Sequence, residues 1–177
     1  MSLIDATYFG GEINIGQVET PPVSQNLTWF IQKYEKDYLT LLLGETLYTD
    51  FIAGLLVDPI DAKWLALRNA ILFTNPKESP IANYIYYWYT RSITTATVGI
   101  GQVKPAAENG TIVSFVTKQV RAWNEMVKWN YSIIRFLREN NADYPDWNEV
   151  RYWSWYNQYC IYNRFDSIFH NINSFNI

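Results

Sequence analysis

The sequence predicts an all-α fold, a helical bundle of about five or six helices around one long helix at 111–140. Three observations predict it. Apolar residues recur at three- and four-residue steps over several separate stretches, the spacing that lines one face of an α-helix. Gly, Pro, Asp and Ser stand between those stretches, where helix starts and stops belong. At 177 residues the chain has the size of one domain and can bury a core without metals or disulfides. The predicted organisation is an extended N-terminal arm over 1–25, a helical domain over 26–160 interrupted by a long loop at 95–111, and an apolar C-terminal tail over 161–177.

The arm carries Gly10, Gly11, Gly16, Pro21 and Pro22 among isolated apolar residues, a composition that opposes helix. Within it Glu12-Ile13-Asn14-Ile15 alternates like a short strand. A first helix is predicted from Asn26, where Leu27, Phe30, Ile31, Tyr34, Tyr38, Leu41 and Leu42 share one stripe and Gly44 supplies the stop. A second runs from about Thr46, with Leu47, Phe51 and Leu55 aligned, and ends before Asp58-Pro59. Asp61 caps a third, bearing Trp64, Leu67, Ile71 and Leu72, which stops near Asn75-Pro76. Ser79-Pro80 gives an N-cap and a proline at the first helical position of a fourth, with Ile81, Tyr84, Ile85 and Trp88 on one face.

Residues 95–111 break the helical pattern with β-branched Thr94-Thr95-Ala96-Thr97-Val98 and with Gly99, Gly101, Pro105 and Gly110. A loop of that length inside a helical domain is uncommon unless it has a task, often recognition. The long helix follows: Ile112, Val116, Val120, Trp123, Val127, Asn130, Ile134 and Leu137 are spaced close to a heptad seam. Asn130 on that seam either sets the register against a neighbouring helix or is a core amide bonded to backbone. After Tyr144-Pro145, Asp146-Trp147-Asn148-Glu149 has the spacing of a capping box for a last helix through about Cys160. That helix is aromatic on several sides, more than one core-facing stripe needs.

Composition narrows the function. Eight Trp, fourteen Tyr and nine Phe provide amphipathic surface of the kind favoured where a face must be wet at one time and buried at another. With a net charge of −3 and no basic run, a phosphate-neutralising face is not expected. The lone Cys160 rules out an intrachain disulfide or a thiolate cluster within one chain. No basic stretch followed by an apolar run opens the sequence and no uncharged stretch approaches membrane-spanning length, so an intracellular protein without membrane contact is expected.

Catalytic chemistry has little to stand on. His170 has no nearby acid or thiol to make it a general base, and one His with one Cys furnishes no usual zinc site. Gly99-Ile100-Gly101 lacks the third glycine of a dinucleotide fingerprint and is read as a turn. Glu35, Asp37, Glu125, Asp146 and Glu149 contain no pair that the sequence brings together, and Glu35 and Glu125 are read as solvated charges on helix faces. No cofactor, metal or turnover is expected. Trp and Tyr could instead stack sugars or single-stranded bases.

Phe30-Ile31-Gln32-Lys33-Tyr34-Glu35 through Tyr38-Leu39, then Leu42-Leu43-Gly44 and Leu47-Tyr48, resemble the opening helices of head-to-tail connector proteins of tailed bacteriophages. Val98-Gly99, Gln102-Val103, Glu108-Asn109, Ser114, Lys118, Ala122-Trp123-Asn124 and Tyr144-Pro145 are similar to connectors from phages and prophages of Bacteroidetes, including crAss-like phages. The likeness covers roughly residues 25–147. It implies a structural protein of the virion neck, assembled in the host cytoplasm. Such a protein forms an adaptor ring, of about twelve copies as a closed homo-oligomer, bound to the portal and to adjacent neck or tail proteins. DNA passes through the lumen without sequence-specific binding. The arm and the aromatic tail depart from that pattern.

Arm, loop and tail each need a surface to repay their ordering entropy, and strand addition or tail docking between ring neighbours would supply one. The expected interface residues are Ile13 and Ile15 in the arm, Val98, Gly99, Ile100 and Val103 in the loop, and Phe165, Ile168, Phe169 and Phe175 in the tail, which is expected to dock on a neighbour. The alternatives are a monomeric binding module for carbohydrate or another protein, and a small enzyme with an unrecognised site.

Overall fold

Pro21 and Pro22 open the first helix. The computed structural model describes residues 2–16, 20–93, 96–98, 101–103, 116–147, 168–169 and 171–172, and in it α1 spans Pro21–Leu43. The sequence pattern places these prolines in the arm. They belong to the helix because a first-turn residue has no intrahelical use for the N–H that proline lacks. Gly44, at φ 82°, ends α1 with its N–H on the Thr40 carbonyl. The backbone then re-enters helix as α2, Glu45–Gly54.

Helix α3, Ala62–Ile71, starts where expected, with the Asp61 carboxylate accepting from the Lys63 N–H at 3.0 Å. Where the sequence predicts a simple stop it runs into a hairpin: β1, Phe73–Thr74, pairs antiparallel with β2, Lys77–Glu78. Helix α4, Pro80–Ile93, follows, its first turn capped by Ser79 Oγ, which accepts from the Ile81 N–H at 3.2 Å. Part of the expected loop is a second antiparallel hairpin, β3 at Ala96–Val98 and β4 at Gly101–Val103. The long helix α5 covers Val116–Glu139. The expected helix through Cys160 lies outside the described residues, apart from buried Trp147.

The fold is mostly helical, as predicted. Helix α4 lies between α1 and α5 and is therefore buried nearly all round, not on one face. Ring pairs fix the directions. On the α1 side Phe30 meets Tyr89 at 5.3 Å and Tyr34 meets Tyr84 at 6.1 Å. On the α5 side Tyr87 meets Trp123 at 4.5 Å and Thr90 Oγ1 accepts from Gln119 Nε2 at 3.1 Å. Numbers fall along α4 as they rise along its neighbours, so α4 is antiparallel to both. From Trp123 onward the heptad seam of α5 is buried, through Val127, Asn130, Ile134 and Leu137.

The N-terminal segment is not an extended arm. Two 3₁₀ turns, Ala6–Tyr8 and Gly11–Ile13, replace the expected strand, and Leu3, Ile4, Tyr8, Phe9 and Ile15 join the core. A carboxylate holds the segment down. Glu35 accepts from the Leu3 N–H at 2.9 Å, the Ile4 N–H at 3.2 Å and the Ser2 hydroxyl at 2.9 Å. Isolated apolar residues thus suffice to anchor a glycine-rich segment once its backbone donors have an acceptor.

The tail also finds its own chain. Ile168 and Phe169 are buried; Asn130 Nδ2 donates to the Ile168 carbonyl at 2.6 Å, Tyr131 Oη to the Phe169 carbonyl at 3.0 Å, and Asn124 makes a reciprocal pair with the Ile172 backbone at 2.9 and 3.1 Å. Its expected docking on a neighbour is replaced, for these residues, by docking on α5.

Gly54 closes α2 against the Trp64 indole. A Cβ there would lie 2.0 Å from Trp64 Nε1, closer than any real contact, and that ring is flanked by Phe51 and Tyr144, each at 6.1 Å. Alanine ordinarily gains about 0.5–1 kcal/mol over glycine within a helix. Here Gly54→Ala is expected instead to cost about 1–3 kcal/mol through overpacking, read as a lower urea midpoint at unchanged slope. A variant more stable than the parent would contradict this packing.

Candidate assembly surface

The antiparallel arrangement gathers the N-terminal turns of α1, the last turn of α4 and the first turn of α5 at one end of the bundle, and hairpin β3–β4 issues from that end. Large apolar side chains stand exposed there: Trp29, at 53%, together with Ile93 and Val116. Neither strand of the hairpin has a third partner among the described residues.

Between α1 and α4 at this end runs a groove of about 600 Å³ lined by Asn26, Trp29, Phe30, Tyr34, Trp88 and Arg91. Its wall is a continuous aromatic run. Trp29 meets Phe30 edge-on at 5.1 Å, Phe30 stacks on Tyr34 at 5.4 Å, and Tyr34 stacks on Trp88 at 5.7 Å with planes 6° apart. Cations cover the rings: Lys33 Nζ lies 5.0 Å from the Trp29 centroid and 4.9 Å from that of Tyr34, and the Arg91 guanidinium 5.2 and 5.6 Å from Tyr87 and Trp88. Arg91 also donates to Tyr87 Oη. Among the described residues that line it, Arg91 is the charged side chain.

The other end is of opposite character. The turn between α2 and α3 exposes Leu56 at 66% and Val57 at 59%, while Leu55 beneath them is buried. Asp58 follows it directly, and Asp50 on α2, Asp61 before α3 and Asp143 are also exposed. The Tyr144 hydroxyl, which donates to the Lys63 carbonyl at 2.7 Å, registers the local charge. Burial first, and then the Asp143 and Asp61 carboxylates, push it up to about 12. Lys63 is engaged over the Trp64 ring at 4.6 Å.

A second cleft, of about 710 Å³, separates the N-terminal segment and hairpin β1–β2 from α5. Its charges alternate in sign. Lys77, Lys118 and Arg121 face Glu12, Glu78 and Glu125, and Arg121 pairs with Glu12 at 3.2 Å. It offers no ligand a field of one sign. Among the described residues no three His, Cys, Asp or Glu side chains gather as a metal site, and no helix is long and apolar enough to cross a membrane.

The residues expected at an interface divide into three groups. Val98 and Val103 belong to hairpin β3–β4, the open element of the first end. Ile15, Ile168 and Phe169 are buried in their own chain and Ile13 is half-buried, which makes them core and edge of core, not free surface. Gly99, Ile100, Phe165 and Phe175 lie outside the described residues, as do Cys160 and His170.

Of the two glutamates read as solvated, Glu125 is exposed beside Lys128 at 3.6 Å, but Glu35 is buried. Burial raises its carboxyl above the ordinary value, against the pull of the donors from Leu3, Ser2 and Ile4. Sequence reasoning passed over Trp29, Lys33 and the Leu56-Val57 turn. Trp29 and Lys33 stand four apart, off the buried stripe of α1, and Leu56-Val57 follows the end of a helix where no periodic face continues. Each is a large side chain with no place in the predicted core. Compared with family models, curated proteins and solved structures, the chain matches none.

Proposed function

We propose that this chain is a structural, non-catalytic subunit of a tailed-phage virion neck. Copies close into a ring between portal and tail, bound to the portal and adjacent neck or tail proteins, and DNA passes through the lumen. The observation that carries this reading is the end of the bundle where Trp29, Ile93 and Val116 are exposed and from which the two-stranded hairpin β3–β4 issues. An isolated two-stranded hairpin is marginal in water, and strand edges without a partner among the described residues are the kind that a neighbouring strand extends. Three large apolar side chains at the same end stabilise a contact rather than a lone subunit. The likeness of residues 25–147 to connector sequences supplies the neck context, and a net charge of −3 suits a channel that must release its cargo.

The aromatic groove favours one other reading, a monomeric module that stacks a sugar ring on the exposed Trp29. Oligomeric state separates the two. Native mass spectrometry and negative-stain microscopy of the purified chain, alone and with the portal ring, are expected to reveal closed rings. A strictly monomeric chain in both conditions would reject the neck reading.

A further inference from the structure

Helix α5 carries five basic residues, Lys118, Arg121, Lys128, Arg135 and Arg138, against two acidic ones, Glu125 and Glu139, a net charge of +3 in a chain of −3. No two of the five are adjacent in sequence, so no basic run announces them. The helix gathers them. Arg121, Lys128 and Arg135 recur at seven-residue steps, which at about 1.5 Å per residue sets them in one row roughly 21 Å long. The same periodicity turns Trp123, Val127, Asn130, Ile134 and Leu137 inward, where they are buried. All three cations of the row are exposed, Arg121 over 61% and Lys128 over 73% of the side chain. The C-terminal segment passes along one flank of α5, on Asn124 and Tyr131, and the row stays exposed beside it. Arg121 and Lys128 already hold carboxylates, Glu12 at 3.2 Å and Glu125 at 3.6 Å, but in exposed pairs, which a competing anion displaces at little cost. The side chains between the cations on this side are Asn124, Glu125, Tyr131 and Ser132, none of them aliphatic. A protein partner would want an apolar centre to bury there. A polyanion needs only cations at intervals.

We propose that the outward face of α5 lines the lumen of the ring and rests against the phosphate backbone of duplex DNA through Arg121, Lys128 and Arg135. The assignment rests on the neck reading above and names the surface that meets the cargo. Phosphates repeat along a duplex whatever its bases, so the contact carries no sequence information. Three cations per subunit are few, and the net charge of −3 opposes them, so the hold is weak and sensitive to salt. Repetition of the row in each copy around the channel keeps the duplex off the wall on every side without gripping it on one.

Fluorescence anisotropy of a labelled random-sequence duplex, titrated with the full chain at about 50 mM salt and upward, tests the face. The wild type is expected to bind this duplex and one of different sequence equally. Arg121→Gln combined with Lys128→Gln and Arg135→Gln is expected to bind on the order of 10-fold more weakly, with a slope of log affinity against log salt shallower by about one for each cation removed. A charge-matched variant, Lys33→Gln with Lys36→Gln and Lys63→Gln, alters α1 and α3 instead and is expected to bind as the wild type does. Negative-stain images of each protein establish whether rings form, and thermal melting verifies folding. Rings that do not bind duplex, an α5 variant that binds as tightly as the wild type, or a charge-matched variant that weakens as much, each overturn the DNA-facing assignment and leave the ring reading standing. A wild type that forms no rings overturns the neck reading, and the lumen placement with it. Should the triple α5 variant melt early through loss of the pair between Arg121 and Glu12, Lys128→Gln with Arg135→Gln replaces it; a salt slope unchanged in that variant counts equally against α5.

Discussion

Replacing Asn130 with alanine is expected to lower stability by about 2–5 kcal/mol, since each buried polar group left without a partner costs about 1–3 kcal/mol and a small cavity adds to that. Asn130 is 0% exposed. Its Oδ1 accepts from Tyr38 Oη, and its Nδ2 donates to the Ile168 carbonyl at 2.6 Å, so one amide ties α1, α5 and the C-terminal segment together. The Tyr38 hydroxyl is fully inside, where burial and then Tyr84 hold its ionisation well above the ordinary value; it remains a donor and needs an acceptor. Urea unfolding measures the loss. Hydrogen exchange is expected to accelerate at Phe169 and Ile172, because the segment loses its innermost tether. Tyr38→Phe, which removes one donor and leaves the amide its bond to Ile168, is expected to cost about 1 kcal/mol. An alanine variant within about 0.5 kcal/mol of the parent, the range of ordinary surface changes, would mean that the amide holds nothing together.

Glu35→Ala is expected to cost about 2–4 kcal/mol, from orphaning the buried N–H groups of Leu3 and Ile4, and to expose residues 2–16 to limited proteolysis. Its pH dependence carries a definite sign. Burial raises the carboxyl in the folded chain, so at pH values between the ordinary and the raised value the native state holds a proton that the unfolded chain has released. Stability therefore falls as pH rises through that window, and the penalty is fully present above the folded value. The difference in unfolding free energy between wild type and Glu35→Gln isolates this contribution, since every other group titrates alike in both. The wild type is expected to gain relative to the glutamine variant as pH is lowered through the window. A flat difference across it would show that Glu35 is not buried as described.

Helix boundaries were legible wherever a side chain or a glycine makes the cap by itself. Asp61 on the Lys63 N–H, Ser79 before Pro80 and Gly44 at positive φ each act within a few residues, at the range a sequence pattern reaches. Glu35 was misread because its reason for burial lies more than thirty residues away, in the backbone of Leu3 and Ile4. One signal did exist: it stands four residues after Ile31 and three before Tyr38, on the apolar stripe of α1, where a solvated charge does not belong. Asn130 carried the same signal and was read both ways. The N-terminal segment was taken as extended because glycine and proline disfavour helix, yet they do not forbid 3₁₀ turns anchored by Tyr8 and Phe9. Val98 and Val103 were named from the sequence as interface residues and fall in hairpin β3–β4. The groove was not, since it exists only once α1 and α4 are antiparallel and side by side.

The tether through Asn130 also orders events at the ribosome. Tyr38 waits 92 residues for its acceptor, and that amide waits 38 more for the Ile168 carbonyl, so a nascent chain can form its helices singly but leaves their shared interior open until residue 168 has emerged. Contacts of such sequence separation close late. A prematurely terminated chain would lack the strap across α5, and chaperones and proteases act on subunits whose apolar interior stays accessible. Emergence of residue 168 thus becomes the step at which the interior shared by α1 and α5 receives its last tether.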